Sequence, residues 1–328
     1  MRRRIERGLT LVELMISLVL ALVVILAAAT ALRVARRGFA TVDAMGQLQD
    51  NARFAVELIQ RVASQSGYLD DGYAVQTRPR DFPLADAPQT PGAVQGYDDA
   101  LAPDGAVGVN GSRGAGCTTA AGPACRQAGD VLVLRTQAAA RSPGALESDH
   151  ASIDCMGDTL KTAPTHRDDL GVSVLYVDVG SDGEPSLMCR AGSTAGLASR
   201  PQPMIQGVES FQVLYGVDGV TPNAPADAAA VVDGVAERYL RADQMVVAGD
   251  TAATHENWRR VRSLRIGLVL RGPPDDARDR APAPVLHPLG AGMSSAADPG
   301  SRFVPETDGR LRQTVAFTIQ LRNAPALP

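Results

Sequence analysis

One carboxylate stands inside a long apolar stretch near the start of the chain. Residues 9–32 contain a single charged side chain, that of Glu13. A helix over this stretch is about long enough to cross a hydrocarbon layer of ~30 Å. A carboxylate in such a segment costs roughly 2–3 kcal/mol, and somewhat less near the interface. A charge of this kind inside a membrane span is a functional candidate by default, so Glu13 is a candidate functional residue.

Four cysteines are further candidates for chemistry: Cys117, Cys125, Cys155 and Cys189. An even number is typical of disulfides in a chain sent to an oxidising compartment. Three pairings are open, and Cys117 with Cys125 would close a small loop and leave Cys155 with Cys189. No C-x2-C spacing occurs and no histidine lies near a cysteine in ligand spacing. We therefore expect structural disulfides and no metal site.

Patterns that approach catalytic or ligand-binding motifs are incomplete. His255-Glu256 begins like H-E-x-x-H, but Arg259 stands where the second zinc ligand is needed. The serine within 192–196 is one position away from that of a G-x-S-x-G elbow. No P-loop or dinucleotide-binding fingerprint follows a strand. These observations predict that the chain is not an enzyme and binds no cofactor.

Two clusters of charged residues each have two interpretations, one as a ligand-binding site and one as an ordinary structural feature. Asp178, Asp182 and Glu184 lack the spacing of a calcium loop, so we interpret them as a solvated hairpin turn. We interpret the basic residues at 259, 260 and 262 as polar side chains at the start of a strand, and not as a contact for DNA or lipid. With a net charge of −4 and 4% aromatic residues, the chain shows no nucleic-acid-binding surface.

The elements that must position these residues can be predicted from periodicity. An apolar stripe at helical spacing, followed by Gly67 as a stop, predicts that the first helix continues to about residue 66: Leu48, Ala52, Ala55, Ile59 and Val62. Segments 70–129 and 273–300 are rich in Gly, Pro and Ala and predict long loops. Six alternating segments predict antiparallel strands: 130–135, 172–179, 186–190, 204–215, 261–270 and 313–322.

The fold class that follows is α+β: a long N-terminal helix, transmembrane and then amphipathic, followed by an antiparallel β-sheet domain with long loops. The expected boundaries are a leader at 1–8, the helix at 9–66 with its membrane span at 9–32, and a β-rich domain at 67–328. The arginines of the leader predict that this end stays in the cytoplasm.

The segment GLTLVE at 8–13, after a basic leader, resembles the class III signal of type IV prepilins and type II secretion pseudopilins. Leu9 replaces the phenylalanine that is usual at the first mature position. The resemblance implies cleavage after Gly8 by a prepilin peptidase and N-methylation of Leu9. It also implies that Glu13 pairs with the N-terminus of a neighbouring subunit, and that the soluble part is periplasmic.

A second resemblance narrows the family. The segment LQDNARFAVELIQRVASQSGY at 48–68, with GVE at 207–209 and QVLYGVD at 212–218, resembles minor pilins of the PilW type. The resemblance implies a pilin fold and a minor pilin that primes pilus assembly at or near the filament tip. Implied partners are other minor pilins, the major pilin, the prepilin peptidase and the inner membrane. Two alternatives remain: a type II secretion minor pseudopilin, and a membrane-anchored periplasmic enzyme or binding module.

Overall fold

The computed structural model describes residues 10–70, 92–101, 129–142, 144–165, 169–194, 196–197, 199–227, 229, 232–274 and 284–323, with the side chain of Arg37 excepted. The chain divides into two compact units, Met1–Gln47 and Leu48–Pro328. Each unit is described by itself below. The first contains most of a single long helix, and the second contains the end of that helix and two antiparallel sheets.

Helix α1 extends over Leu11–Gln65. In the first unit its side chains from Leu11 to Leu32 are all exposed. This part includes an 18-residue window with a mean hydropathy of 2.9, so the helix is long and apolar enough to cross a membrane. Leucine and alanine, both strong helix formers, make up much of this stretch, and no glycine or proline interrupts it before Gly38.

In the second unit α1 packs on the sheets through the stripe that the sequence predicts. Leu48, Ala52, Ala55, Ile59 and Val62 are all buried, so this prediction is confirmed. The helix ends where Gly67 adopts a φ of 81°, a conformation that favours glycine. A Cβ at this position would also lie 2.5 Å from the backbone oxygen of Asn323, so a larger residue would not fit.

The described residues of the second unit form two sheets in which all pairings are antiparallel. The first has the order β1-β2-β3-β4-β5, with strands at Val94–Tyr97, Val131–Thr136, Gly171–Val179, Pro185–Ser193 and Gln202–Gln206. The second has the order β7-β6-β8-β9, with β6 at Val208–Val217, β7 at Arg238–Leu240, β8 at Val261–Arg271 and β9 at Arg312–Gln320. Side chains of both sheets and of α1 share one apolar core.

The prediction of a single strand over 204–215 is wrong. Gly207, with a φ of 81°, separates β5 from β6, and the two strands belong to different sheets. Its backbone N–H donates to Pro185 in the first sheet (2.7 Å), and its carbonyl accepts from Arg271 in the second (2.7 Å). One glycine therefore turns the chain from one sheet into the other, and the apolar alternation continues across the turn.

The loop prediction for 70–129 is also wrong in part, because β1 lies within it. The described part of 273–300 has no strand, and its two short 3-10 turns lie at Ala291–Met293 and Pro299–Ser301. A second helix, α2 at Thr251–Arg259, is an element that the sequence analysis did not predict. Asp250 caps it by accepting the backbone N–H of Ala253 at 2.9 Å. A third 3-10 turn lies at Ala242–Met245.

Candidate functional site

Glu13 lies in the first turn of α1 and closes a capping box with Thr10. Its carboxylate accepts the backbone N–H of Thr10 at 2.9 Å and the Thr10 hydroxyl at 3.0 Å. In return, the Thr10 hydroxyl oxygen accepts the backbone N–H of Glu13 at 3.3 Å. The sequence Thr-x-x-Glu is the usual pattern for this reciprocal cap. The carboxylate is therefore partly satisfied within its own chain.

The remaining polar groups of this part of the helix are also satisfied locally. The Ser17 hydroxyl donates to the backbone oxygen of Glu13, and the Thr30 hydroxyl donates to that of Ala27. Glu13 is the only ionisable side chain between Leu11 and Leu32. The described surface of this segment thus presents apolar side chains in every direction and one carboxylate near its start. Gly8 and Leu9, the predicted cleavage and methylation positions, lie outside the described residues.

The structure joins two of the four cysteines. Cys155 and Cys189 form a disulfide with a Cα–Cα distance of 5.9 Å, and both residues are buried. Cys189 belongs to β4, and Cys155 lies in the segment that precedes β3. The bond therefore pins this preceding segment to the first sheet. Cys117 and Cys125 lie outside the described residues.

The residues of the incomplete zinc motif belong to helix α2, where they make structural contacts. His255 is buried in α2, and burial, with Arg259 and Arg135 nearby, lowers the pKa of its imidazole. Glu256 forms ion pairs with Arg259 (3.1 Å) and Arg260 (3.2 Å). Arg262 lies 3.6 Å from a carboxylate oxygen of buried Asp218. This basic cluster is thus paired with acids. Among the described residues, no group of three His, Cys, Asp or Glu side chains is placed to hold a metal ion.

The acidic segment at 178–184 forms the hairpin turn between β3 and β4. The Gly180 N–H donates to the backbone oxygen of Glu184 at 2.9 Å, and Asp182 accepts the N–H of Glu184 at 3.0 Å. The Glu184 carboxylate is not simply solvated: Arg271 and Arg310 bind it at 2.8 and 2.9 Å. The Arg310 hydrogen bond, with Arg271 contributing, lowers the pKa of Glu184 although partial burial opposes the shift.

Glu184 belongs to a larger ion network that sequence analysis missed. Glu209 accepts from Arg271 (3.2 Å) and from Arg312 (2.6 Å), and Arg312 also binds Asp308 at 2.8 Å. These groups link the β3–β4 turn, the start of β6, the end of β8 and the start of β9. The members come from parts of the chain that are far apart, so no local motif predicts the network.

A second buried acid joins the two sheets. Asp130, just before β2, accepts the N–H of Val213 in β6 at 2.8 Å and the N–H of Asp99 after β1 at 3.1 Å. Burial, and then the nearby carboxylate of Asp98, raise the pKa of Asp130 well above its usual range. Tyr215 packs edge-on against Trp258 with ring centroids 4.9 Å apart. These contacts stabilise the core, and none of them forms a catalytic arrangement.

Comparisons with known proteins give two matches to family models and distant likenesses to solved structures. A model described as Type IV Pilus-assembly protein W matches residues 174–323, and one described as the prokaryotic N-terminal methylation motif matches residues 3–29. No individual curated protein matches the chain. A type IV-like pilin from Thermus thermophilus aligns over 84% of this chain and 97% of its own, with a TM-score of 0.37 and 16% identity.

The two family models cover different parts of the molecule. The methylation motif includes Glu13 and the exposed apolar part of α1, while the other model runs from β3 to just beyond β9. The model over residues 174–323 describes a pilus-assembly protein, and the other model describes a methylation motif of prokaryotic N-termini. In the described structure a long apolar helix precedes antiparallel sheets. The two matches, one at the N-terminal helix and one over the second half of the β-rich domain, support a type IV minor pilin of the PilW type.

Proposed function

We propose that this minor pilin primes assembly of the type IV pilus and lies at or near the filament tip. The observation that carries the proposal is the surface of α1 from Leu11 to Leu32, which is exposed and apolar on all sides with Glu13 as its one charge. A helix of this kind can move from lipid into a bundle of other apolar helices at little hydrophobic cost, because both environments are apolar.

In this assembly the Glu13 carboxylate sets the axial position of each helix relative to its neighbours. In lipid its carboxylate remains in the capping box with Thr10, which lowers the cost of the charge. In the filament it pairs with the methylated N-terminal amine of a neighbouring subunit, a charge-assisted contact stronger than the neutral bonds of the cap. Packing alone does not distinguish one axial position of an apolar helix from another, so this pair sets the position.

The proposal includes processing and topology. The prepilin peptidase removes the leader, residues 1–8, after Gly8, and the new amine of Leu9 is methylated. Helix 9–66 crosses the inner membrane at 9–32 with its N-terminus in the cytoplasm, and residues 67–328 form the periplasmic domain. The other minor pilins and the major pilin are the partners during assembly. We propose no enzymatic activity and no cofactor for this chain.

The decisive experiment combines a deletion strain with localisation. Deleting the gene should reduce the number of surface pili, and expressing the full chain from a plasmid should restore it. Antibodies against the domain should then label one end of sheared pili in electron micrographs. Normal pilus number in the deletion strain, or label along the whole shaft, would contradict the proposal. Loss of protein secretion with normal pili would instead identify a type II secretion pseudopilin.

A further inference from the structure

Within the part of the chain that the structure describes, the two sheets have four edges, and these edges differ in how well they are protected. In the first sheet the edges are β1, with 4 residues, and β5, with 5 residues that include Pro203. In the second sheet one edge is β7, with 3 residues, whereas β9 has 9 residues and no proline or lysine. Short strands, proline and lysine are the usual devices that prevent pairing with another chain. β9 has none of them.

The backbone groups at the free edge of β9 can be identified from its pairing. Leu321 donates its N–H to Arg262 at 2.9 Å, and Leu311 accepts the N–H of Gly272 at 2.8 Å, at the two ends of the β8–β9 ladder. In antiparallel pairs, residues alternate between bonding to the partner and facing away. The odd-numbered residues thus bond to β8. Four residues with exposed side chains direct their N–H and C=O groups to the open edge: Thr314, Ala316, Thr318 and Gln320.

The last turns of α1 lie beside this edge. Just beyond β9, the Asn323 side chain donates to the backbone oxygen of Ser64 at 3.2 Å, which joins the strand end to the helix end. An open groove separates the rest of β9 from the helix. On the helix side it is lined by Val56 and Gln60, and on the strand side by Val315 and Thr318. We call this groove, with the free edge of β9, the β9 slot.

The charged side chains of the β9 slot have no oppositely charged partner among the residues that the structure describes. Arg53, Glu57, Arg61 and Arg322 line it and are exposed, and none of them forms an ion pair within the described part of the chain. By contrast, the arginines of the ion network bind carboxylates of their own domain. Three arginines against one glutamate leave the slot with a net positive charge. A strand that pairs there is favoured if it is acidic.

We propose that the β9 slot binds an extended acidic strand of another protein, which adds a fifth strand to the second sheet. The partner's backbone pairs with Thr314, Ala316, Thr318 and Gln320, as in other cases of strand addition. Its carboxylates face the free arginines, and the helix flank at Val56 covers its apolar side chains. A second copy of this chain is a poorer occupant, because pairing β9 with β9 would bring the arginines of two slots together.

The test uses the full-length protein in detergent with two synthetic probes of 9 residues, the length of β9. One peptide alternates valine or threonine with glutamate, and the other has lysine at every glutamate position. Binding is followed by fluorescence anisotropy of labelled peptide. The acidic peptide should bind about tenfold more tightly than the lysine peptide, because only its charges complement the slot. The triple variant Arg53→Glu, Arg61→Glu and Arg322→Glu should reverse this preference.

Two sets of matched variants distinguish effects on the β9 slot from effects on the whole domain. Ala316→Pro removes an N–H that faces the open edge and leaves the β8 ladder intact, so it should abolish binding, whereas Ala316→Val should retain it. Charge reversal at three exposed arginines elsewhere should leave the preference unchanged: Arg200, Arg238 and Arg302. Thermal unfolding of each variant verifies that the domain is folded.

Several outcomes would overturn the proposal. Equal affinity for the two peptides would remove the electrostatic argument, and binding that survives Ala316→Pro would show that the edge is not used. No binding of the acidic peptide at about 1 mM would show that the surface is not a specific slot. Self-association that Ala316→Pro disrupts would identify a second copy as the occupant. None of these results depends on pilus number, so the proposed assembly role stands or fails separately.

Discussion

The two halves of α1 have the same helical backbone conformation but differ in how apolar side chains are distributed over their surfaces. From Leu11 to Leu32 apolar side chains point in every direction, and all of them are exposed in this structure. From Leu48 to Val62 one apolar stripe is buried against the sheets, and the remaining faces carry mostly polar side chains, although Phe54 is apolar and 50% exposed. A helix that is apolar all round needs lipid or other helices, whereas a striped helix needs one packed face. The pattern therefore indicates what surrounds each half.

Two isoleucines illustrate the difference quantitatively. Ile59 is 0% exposed in the core of the domain, and Ile25 is 63% exposed in the first half. Burying such a side chain from water contributes about 1.5–3 kcal/mol, so Ile59 already stabilises the folded chain. Ile25 can make the same contribution only in a membrane or filament. The second half thus stabilises a domain, and under the proposed function the first half stabilises an assembly.

The largest expected effect is loss of assembly when Glu13 is replaced. Glu13→Ala should leave insertion into the membrane intact or improve it, because an apolar residue replaces a charge. Entry into the filament should fail, since the N-terminal amine of the neighbouring subunit loses its partner. The measurement compares mutant protein in the inner membrane with mutant protein in sheared pili.

The matched control for Glu13 is Asp50→Ala, which removes an exposed carboxylate from the second half of the same helix. Asp50→Ala should be incorporated normally, because this carboxylate lies outside the apolar half. If Glu13→Ala were also incorporated at the normal level, Glu13 would have no role in register. The contrast between an assembling half and a packing half would then rest on apolar surface alone.

Next in size is the effect of deleting buried apolar atoms from the second half. Ile59→Ala should lower the free energy of unfolding of the domain by about 2–5 kcal/mol, the cost of a cavity plus lost burial. Ile25→Ala makes the same chemical change in the exposed half and should leave domain stability unchanged. Urea unfolding of the full chain in detergent, followed by the fluorescence of buried Trp258, measures both. Equal losses would show that the two halves do not differ as described.

A cross-link in the domain gives a third comparison. Replacing Cys155 and Cys189 together by serine should lower domain stability by roughly 2–4 kcal/mol, because the bond closes a loop with a sequence separation of 34. Peptidase processing and membrane retention should not change, since both depend on the first half. The same urea measurement, with a mass determination of the mature chain, tests the two expectations. A folded variant that is not processed normally would contradict the expectation that processing depends only on the first half of α1.

The sequence predicts the helical stripe and most strands because both depend on local periodicity. Glu13 is recognisable for the same reason, as one charge in an apolar run. The turn at Gly207 is missed because apolar alternation continues through it, and only the positive φ separates the strands. The strand β1 is short and lies among Gly and Pro, so it has little periodic signal.

Contacts between residues that are far apart in the sequence are a second feature that sequence analysis does not predict. Glu184 and Arg310 are 126 positions apart, and no pattern in either neighbourhood indicates their pairing. The same holds for Asp130, whose buried position follows from the way two sheets meet. The cysteine pairing was one of three possibilities for the same reason. Local chemistry predicts elements well, and the ion network depends on how those elements pack.

The smallest expected effect is a pH dependence that belongs to the domain alone. The pKa of Glu184 is lowered by its hydrogen bond to Arg310, so the ionised carboxylate stabilises the folded state at pH values above its usual 4.5. As the pH falls through and below that value, this contribution is lost. Glu184→Gln removes the charge, so it should be less stable than the wild type near neutral pH. The difference should shrink on acidification.

The carboxylate is 30% exposed, so this difference should stay within about 1 kcal/mol. Urea midpoints of wild type and Glu184→Gln, measured at about pH 7 and about pH 3.5, test it through the difference between them. Asp130, whose raised pKa acts in the opposite direction, is common to both proteins and cancels in that difference. Glu306→Gln, at an exposed glutamate, is the control and should match the wild type at both pH values. A gap between wild type and Glu184→Gln that stays constant with pH would show that its cause is packing, and the arginine network would then owe its stabilising effect to shape and not to charge.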